Sequence, residues 1–169
     1  VRTNGHFATF VTALKVLLVA GIGIAAFVFG AGPWSHFSES GAGGSCDGVS
    51  ESARMGFAGF GAAVVGALWS FTGWAVVSYV AEEVESPART LPRALVGGSL
   101  ILTALYLLAN AGYFYVLSPQ EIASVSETSS VAGAVLIRLL GAGGVALMAG
   151  AVMLSAFGSL HAGMVAIPR

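Results

Sequence analysis

Charged side chains are scarce in this chain: Asp, Glu, Lys and Arg make up 9% of it, whereas they make up about 25% of a typical soluble domain. This scarcity argues against an ordinary soluble domain and places the chain in the membrane class. The formal net charge of −1 gives no indication of nucleic-acid binding. Cysteine is nearly absent as well: Cys46 stands alone, which excludes an internal disulfide.

Apolar stretches are abundant, since 56% of the 169 residues are hydrophobic. Crossing about 30 Å of hydrocarbon takes about 20 helical residues. Four stretches are long enough, at residues 7–31, 57–81, 94–117 and 141–167. They predict an all-α integral membrane fold with four transmembrane helices. The first stretch is too long for a signal peptide. Because the chain begins at Val1 without methionine and stops at Arg169 beside an apolar run, we expect an internal piece of a larger transmembrane protein.

The segments between these spans predict the sidedness of the chain. If the first helix starts in the cytoplasm, the positive-inside tendency is met by four inner against two outer arginines: Arg2, Arg89, Arg93 and Arg169 against Arg54 and Arg138. Residues 32–56 then form an outer loop, and residues 82–93 form a short inner loop whose prolines end one helix and begin the next. Residues 118–140 form a second outer loop with short helices, one capped at Ser118 and one over residues 131–140, where we expect Arg138 to snorkel to the interface.

The second span carries Ser70, Thr72 and Gly73 near its middle. Membrane helices that place small and hydroxyl residues at mid-depth often do so because their backbone is needed there. A helix that unwinds at this point frees carbonyls for an ammonium group and exposes a half-helix N-terminus to a carboxylate. The flanking aromatics Trp69, Phe71 and Trp74 then suit a lid over a ligand, although aromatic packing against lipid or protein explains them equally well.

Lys15 is the only lysine, and it lies inside the first apolar span. It follows Phe7 by roughly 12 Å of helix, close to the bilayer midplane, where a charged lysine costs about 2.5–3.5 kcal/mol. Snorkelling is the structural alternative, but the reach from mid-span to an interface is poor. We therefore expect Lys15 to act as a cation standing in a site or as a proton carrier.

The last span contains a second patch of small and hydroxyl residues, Ser155, Phe157, Gly158 and Ser159. Serines in membrane helices often bond their own backbone, so a purely structural interpretation stands beside a functional one. His161 has no second ligand at suitable spacing, and we expect neither a metal nor a cofactor.

A charged cluster lies at the predicted inner surface: Glu82, Glu83, Arg89 and Arg93. A solvated loop explains it, and so does a set of inner-gate salt bridges that break during transport. Exposed ion pairs are worth about 0–1 kcal/mol each, which suits a gate that must open.

These motifs together resemble the amino acid–polyamine–organocation transporters, and within them the L-type amino acid transporter-like proteins and arginine/agmatine-type antiporters. Thr12-Ala13-Leu14-Lys15-Val16 is similar to T-x-x-K-V of the family's fifth helix, and Leu68 to Trp74 is similar to its unwound sixth helix. The stretch from Glu82 to Ala94 resembles the family's inner-loop pattern E-E-x-x-x-P-x-R-x-x-P-x-A. The stretch from Ser155 to Ser159 is similar to its eighth helix.

The resemblance implies helices five to eight of a protein of about twelve, built as a five-plus-five inverted repeat in which the broken first and sixth helices share the substrate. By position, Trp69 becomes the lid, while Phe71, Thr72 and Gly73 offer backbone to the substrate's ammonium end. Lys15 takes the place of a sodium ion, bridging towards the first helix and to Ser159, with Ser155 in the same patch. This fixed charge implies sodium-independent exchange or proton coupling. Two departures are Thr72, where many L-type members have glycine, and His161, where asparagine is common.

The primary hypothesis is therefore a permease of the cytoplasmic membrane that moves amino acids or related amines by alternating access, with the remainder of the transporter chain as its partner in the bilayer. The alternative is a non-transporting membrane subunit that scaffolds a complex. A membrane enzyme is the weakest hypothesis, because the sequence contains no legible catalytic constellation.

Overall fold

The computed structural model describes residues 2–39, 57–73, 81, 84, 86–126 and 128–166. Every regular element within these ranges is helical, which confirms the all-α fold. In chain order they are α1 (Arg2–Phe29), a 3₁₀ helix (Trp34–Phe37), α2 (Phe57–Trp69), α3 (Pro87–Val116), α4 (Pro119–Ala123), α5 (Val131–Leu140) and α6 (Ala142–Ala166).

Three of the helices are long and apolar enough to cross a membrane: Gly5–Phe29, Pro87–Val116 and Ala142–Leu160. They correspond to the first, third and fourth predicted spans. Many of their large apolar side chains are exposed, including Phe10 at 65%, Leu100 at 66% and Met153 at 72%. Such surfaces suit lipid or further helices rather than water, as expected for a multi-pass membrane protein.

The second predicted span contains a shorter α-helix. Helix α2 ends at Trp69, inside the apolar stretch, and a turn follows over Ser70 to Gly73. The α-helix therefore ends next to the residues where the sequence predicts the interruption. The rest of this span, residues 74–80, lies outside the described residues.

Helix α3 begins earlier than the span that the sequence predicts, at Pro87 rather than at Ala94. Pro87 occupies the first helical position, where its missing amide leaves no bond unmade, and the Ser86 carbonyl accepts the amide of Thr90 at 3.1 Å. Pro92 lies inside the helix instead of beginning it. Because proline has no backbone N–H, one hydrogen bond of the helix is missing at this position. Arg89 and Arg93 therefore belong to the first turns of α3 rather than to a loop.

The chain divides into two compact units, of which the first comprises Val1–Ser45 and Ala104–Val165. Its buried core contains Ala26, Val116, Leu117 and Val135. Helices α1 and α3 approach closely where both carry small residues: a Cβ atom at Gly112 would lie 2.9 Å from Ala26 Cβ. This is the backbone proximity that small residues allow in membrane helices. The second unit comprises Cys46–Thr103 and Ala166–Arg169, and holds α2 with its turn.

The predicted outer segment contains both expected short helices. Ser118 caps α4 through a complete capping box, in which its hydroxyl accepts the Glu121 amide and the Glu121 carboxylate accepts the Ser118 amide. Such reciprocal bonds satisfy two amides that a helix start otherwise leaves without partners. Helix α5 is capped in turn by Ser130, whose hydroxyl accepts the Gly133 amide at 3.0 Å.

Candidate functional site

Lys15 of α1 makes a polar contact with α6 in the first unit. Its ammonium donates a hydrogen bond to the backbone carbonyl of Ser155 at 2.9 Å, and the lysine is half-buried. Among the described residues the one ion pair is that of Arg138 with Glu121. The charge of Lys15 is thus met by a carbonyl dipole, which is one way of lowering the cost of an intramembrane cation.

Ser159 shares this acceptor with Lys15. Its hydroxyl donates to the same Ser155 carbonyl at 2.9 Å, a bond one helical turn back along α6. The structure therefore brings the predicted set of Lys15, Ser155 and Ser159 together around a single oxygen. The lysine bonds the carbonyl of Ser155, whereas the resemblance implied a bridge to Ser159 itself.

The face of α1 that carries Lys15 packs against α6 over about two turns. Phe7, Val11 and Lys15 follow one another at intervals of four residues and so share one face of the helix. The Phe7 ring meets the Phe157 ring edge to face, with centroids 6.2 Å apart. Val11 is buried, with 5% of its surface exposed. These apolar contacts hold the two helices at the spacing that lets Lys15 reach Ser155.

The turn after α2 contains residues that the sequence analysis predicts to contact the substrate. The amides of Ser70, Phe71 and Thr72 donate to carbonyls three residues earlier, each at 3.1 Å, instead of the four-residue spacing of an α-helix. The Thr72 hydroxyl also donates to the Trp69 carbonyl at 2.8 Å. Gly73 then takes a φ of +103°, which side chains other than glycine rarely adopt. This backbone turns out of the helical path at the predicted residues.

The aromatic and charged members of the predicted site are only partly covered by the structure. Trp69 is 77% exposed, and Phe71 is half-buried. Trp74, Glu82, Glu83 and the side chain of His161 lie outside the described residues. Arg89 and Arg93 are exposed on α3, and their pairing with the two glutamates stays a prediction.

The sequence did not reveal a cavity of about 760 Å³ in the first unit, beside the end of α1. Polar groups that line it include His36, Gln120, Glu121 and Arg138. Arg138 donates to Glu121 at 2.9 Å, where we expected it to snorkel. The N-cap at Ser118 predicted the helix α4. No local pattern in the sequence indicates that Arg138 of α5 pairs with Glu121 of α4.

The pKa of the Glu121 carboxyl lies below its ordinary value of 4.5, chiefly because the Ser118 amide donates to it and additionally because Arg138 lies beside it. A lowered pKa means that ionised Glu121 stabilises the α4 cap above about pH 4.5, and that this contribution disappears as the pH falls through the lower folded value. We expect hydrogen–deuterium exchange at α4, corrected for intrinsic rates, to accelerate as the pH is lowered from about 7 to about 3. The substitution Glu121→Gln should remove most of this pH response. It should lower the free energy of unfolding by only about 0–1 kcal/mol, because the ion pair of Glu121 with Arg138 is exposed.

The cap of α5 is a matched control for this experiment, because Ser130 caps without a carboxylate. Its amides should show no such pH response. Equal acceleration at both caps would contradict the assignment to Glu121.

The chain matches the family model described as amino acid permease over residues 1–169. It is 34% identical over 110 residues to the serine/threonine exchanger SteT of Bacillus subtilis (strain 168), an alignment that covers 65% of this chain and 25% of that protein. It is 32% identical over 123 residues to the b(0,+)-type amino acid transporter 1 of Oryctolagus cuniculus, covering 72% of this chain and 23% of the relative.

A third relative is the cystine/glutamate transporter of Homo sapiens, 34% identical over 102 residues, with 60% of this chain and 20% of that protein covered. The chain thus spans about a quarter or less of the length of these curated relatives. No solved structure matches it.

Proposed function

The chain belongs to the amino acid permease family, and on this basis we propose that the protein containing it moves amino acids or related amines across the cytoplasmic membrane by alternating access. The observation that carries this proposal is the end of α2 at Trp69, inside an apolar stretch long enough to span. Irregular backbone at membrane depth is tolerated where it lines a cavity or is buried in protein. In transporters such interruptions build the substrate site.

In this proposal the substrate meets the turn from Ser70 to Gly73. The backbone of Phe71, Thr72 and Gly73 faces the ammonium end of the substrate, and Trp69 acts as the lid. Trp69 is the last residue of α2, directly before this turn, which supports its assignment as the lid. The Thr72 hydroxyl, held by the Trp69 carbonyl, supports a defined geometry for the turn.

Lys15 supplies the coupling charge. Its ammonium on the Ser155 carbonyl stands as a fixed cation between α1 and α6, with Ser159 on the same oxygen. A cation at this position favours sodium-independent exchange or proton coupling. The name of the serine/threonine exchanger among the relatives supports exchange.

The inner gate forms from Glu82 and Glu83 with Arg89 and Arg93. The placement of both arginines in the first turns of α3 gives them a rigid base, which supports their role in the gate. Exposed pairs of this kind are weak enough to separate in each cycle.

Exchange by the full-length protein in liposomes tests the proposal. Liposomes loaded with unlabelled serine, threonine, cystine or glutamate should accelerate uptake of the labelled amino acid, because an exchanger returns faster with a substrate bound. The purified protein should also be stabilised against heat by its substrate, by about 2.7 kcal/mol at roughly 100 times Kd. If no amino acid or amine accelerates uptake or stabilises the protein, transport is contradicted and a scaffold subunit is favoured.

A further inference from the structure

We infer that Gly158 is a positioning residue that leaves the space in which Lys15 reaches the Ser155 carbonyl, an inference that rests on the proposed coupling role of Lys15. The lysine ammonium donates the hydrogen bond, and the Ser155 carbonyl oxygen accepts it. Gly158 lies on α6 between Ser155 and Ser159, on the helix face that these serines share. Its missing side chain is what allows the lysine to lie there.

The clearance at this position is small. A Cβ atom on Gly158 would lie 2.9 Å from the Lys15 ammonium and 3.0 Å from Lys15 Cε. It would also lie 2.7 Å from Val11 Cγ1. Separations below about 3 Å are too close for carbon atoms, whose favourable contacts begin near 3.5 Å. Even alanine at this position therefore has to displace an atom of Val11 or Lys15.

The two neighbours differ in how they can respond. Val11 is buried, at 5% exposure, and it is a short, stiff side chain. Lys15 is long and flexible, so its ammonium is the atom that yields first. A charged hydrogen bond of 2.9 Å lies at the long end of the favourable range, and displacement weakens it. A side chain at residue 158 therefore has two consequences: it presses on Val11, and it misplaces the cation.

Two other glycines of α6 do not have this property. A Cβ atom at Gly143 or Gly150 would meet nothing within 4 Å. Gly150 is therefore a matched control, with the same substitution on the same helix and open space around it.

A double-mutant cycle in the full-length protein tests the contact directly. We expect Gly158→Ala to lower the apparent melting temperature of the purified protein, and to lower it clearly less in the Lys15→Ala background, where the crowded ammonium and Cε are gone. Gly150→Ala should cause little change in either background. Strictly additive effects of the Gly158 and Lys15 substitutions would overturn the inference, whatever the transport measurements show.

Exchange in liposomes tests the consequence. Gly158→Ala should lower the exchange rate and shift its pH profile towards that of Lys15→Ala. A packing defect alone would reduce the amount of folded protein without moving the pH profile.

The double variant Val11→Ala, Gly158→Ala keeps the test decisive if Gly158→Ala folds poorly, because it removes the Val11 contact and retains the crowding of Lys15. We expect it to recover thermal stability while the pH profile stays displaced. A wild-type profile in this variant would overturn the positioning role. If Lys15→Ala itself exchanges normally at every pH, the proposed function of Lys15 fails, and the melting cycle still decides whether Gly158 positions the lysine.

Discussion

Lys15→Ala in the full-length protein is expected to abolish amino acid exchange or its response to pH. The ammonium bridges α1 and α6 through the Ser155 carbonyl at 2.9 Å. Hydrogen bonds to charged groups are worth about 1.5–3 kcal/mol, and 1.4 kcal/mol corresponds to about a factor of ten. We therefore expect the exchange rate to fall by at least about tenfold, measured as uptake into amino-acid-loaded liposomes across a range of pH.

Thermal stability separates this loss from misfolding. A charged lysine near the midplane costs about 2.5–3.5 kcal/mol to insert, and the Ser155 carbonyl keeps the Ser159 hydroxyl as a donor. Removing the lysine should consequently leave the melting temperature nearly unchanged or raise it. Lys15→Met, which retains the length of the side chain without its charge, should transport as poorly as Lys15→Ala. Normal exchange with an unaltered pH response in either variant would remove the coupling role.

Gly73→Leu is expected to weaken substrate binding strongly. Gly73 takes a φ of +103°, and a residue with a side chain in such a conformation carries about 1–3 kcal/mol of strain. Leucine also places bulk beside the backbone that is proposed to bind the substrate. We expect the KM for uptake to rise at least about tenfold, which corresponds to about 1.4 kcal/mol, and substrate-induced thermal stabilisation to be lost.

Two further variants separate strain from bulk. A Cβ atom at Gly73 would meet nothing within 4 Å, so Gly73→Ala introduces strain without a clash and should have an intermediate effect. Gly66 lies in α2, with no neighbour within 4 Å of its Cβ position and without the positive φ, so Gly66→Ala should leave the KM unchanged. Wild-type uptake by Gly73→Leu would count against a backbone substrate site at this turn.

The end of α2 within the second span was predictable because its cause is local. Thr72 and Gly73 lower helix propensity where the residues around them are apolar, and the α-helix ends at Trp69. The cap of α4 was predictable for the same reason, since Ser118 and Glu121 satisfy each other's amides across one turn. The start of α3 at Pro87 was not predictable in this way. Both Pro87 and Pro92 fit the first position of a helix, and the sequence does not distinguish between them.

The amino-acid sequence by itself determined that this chain is helical, that it belongs in a membrane, and where the helix of the second span ends. These properties depend on hydropathy, length and backbone preference, which act within a few turns of one helix. Only the tertiary structure decided that Lys15 bonds the carbonyl of Ser155, 140 residues away, that Gly158 leaves room for it, and that Arg138 pairs with Glu121. Every residue has a main-chain oxygen, so the sequence does not indicate which of them Lys15 bonds. The clearance between two helices is defined only once the helices are packed.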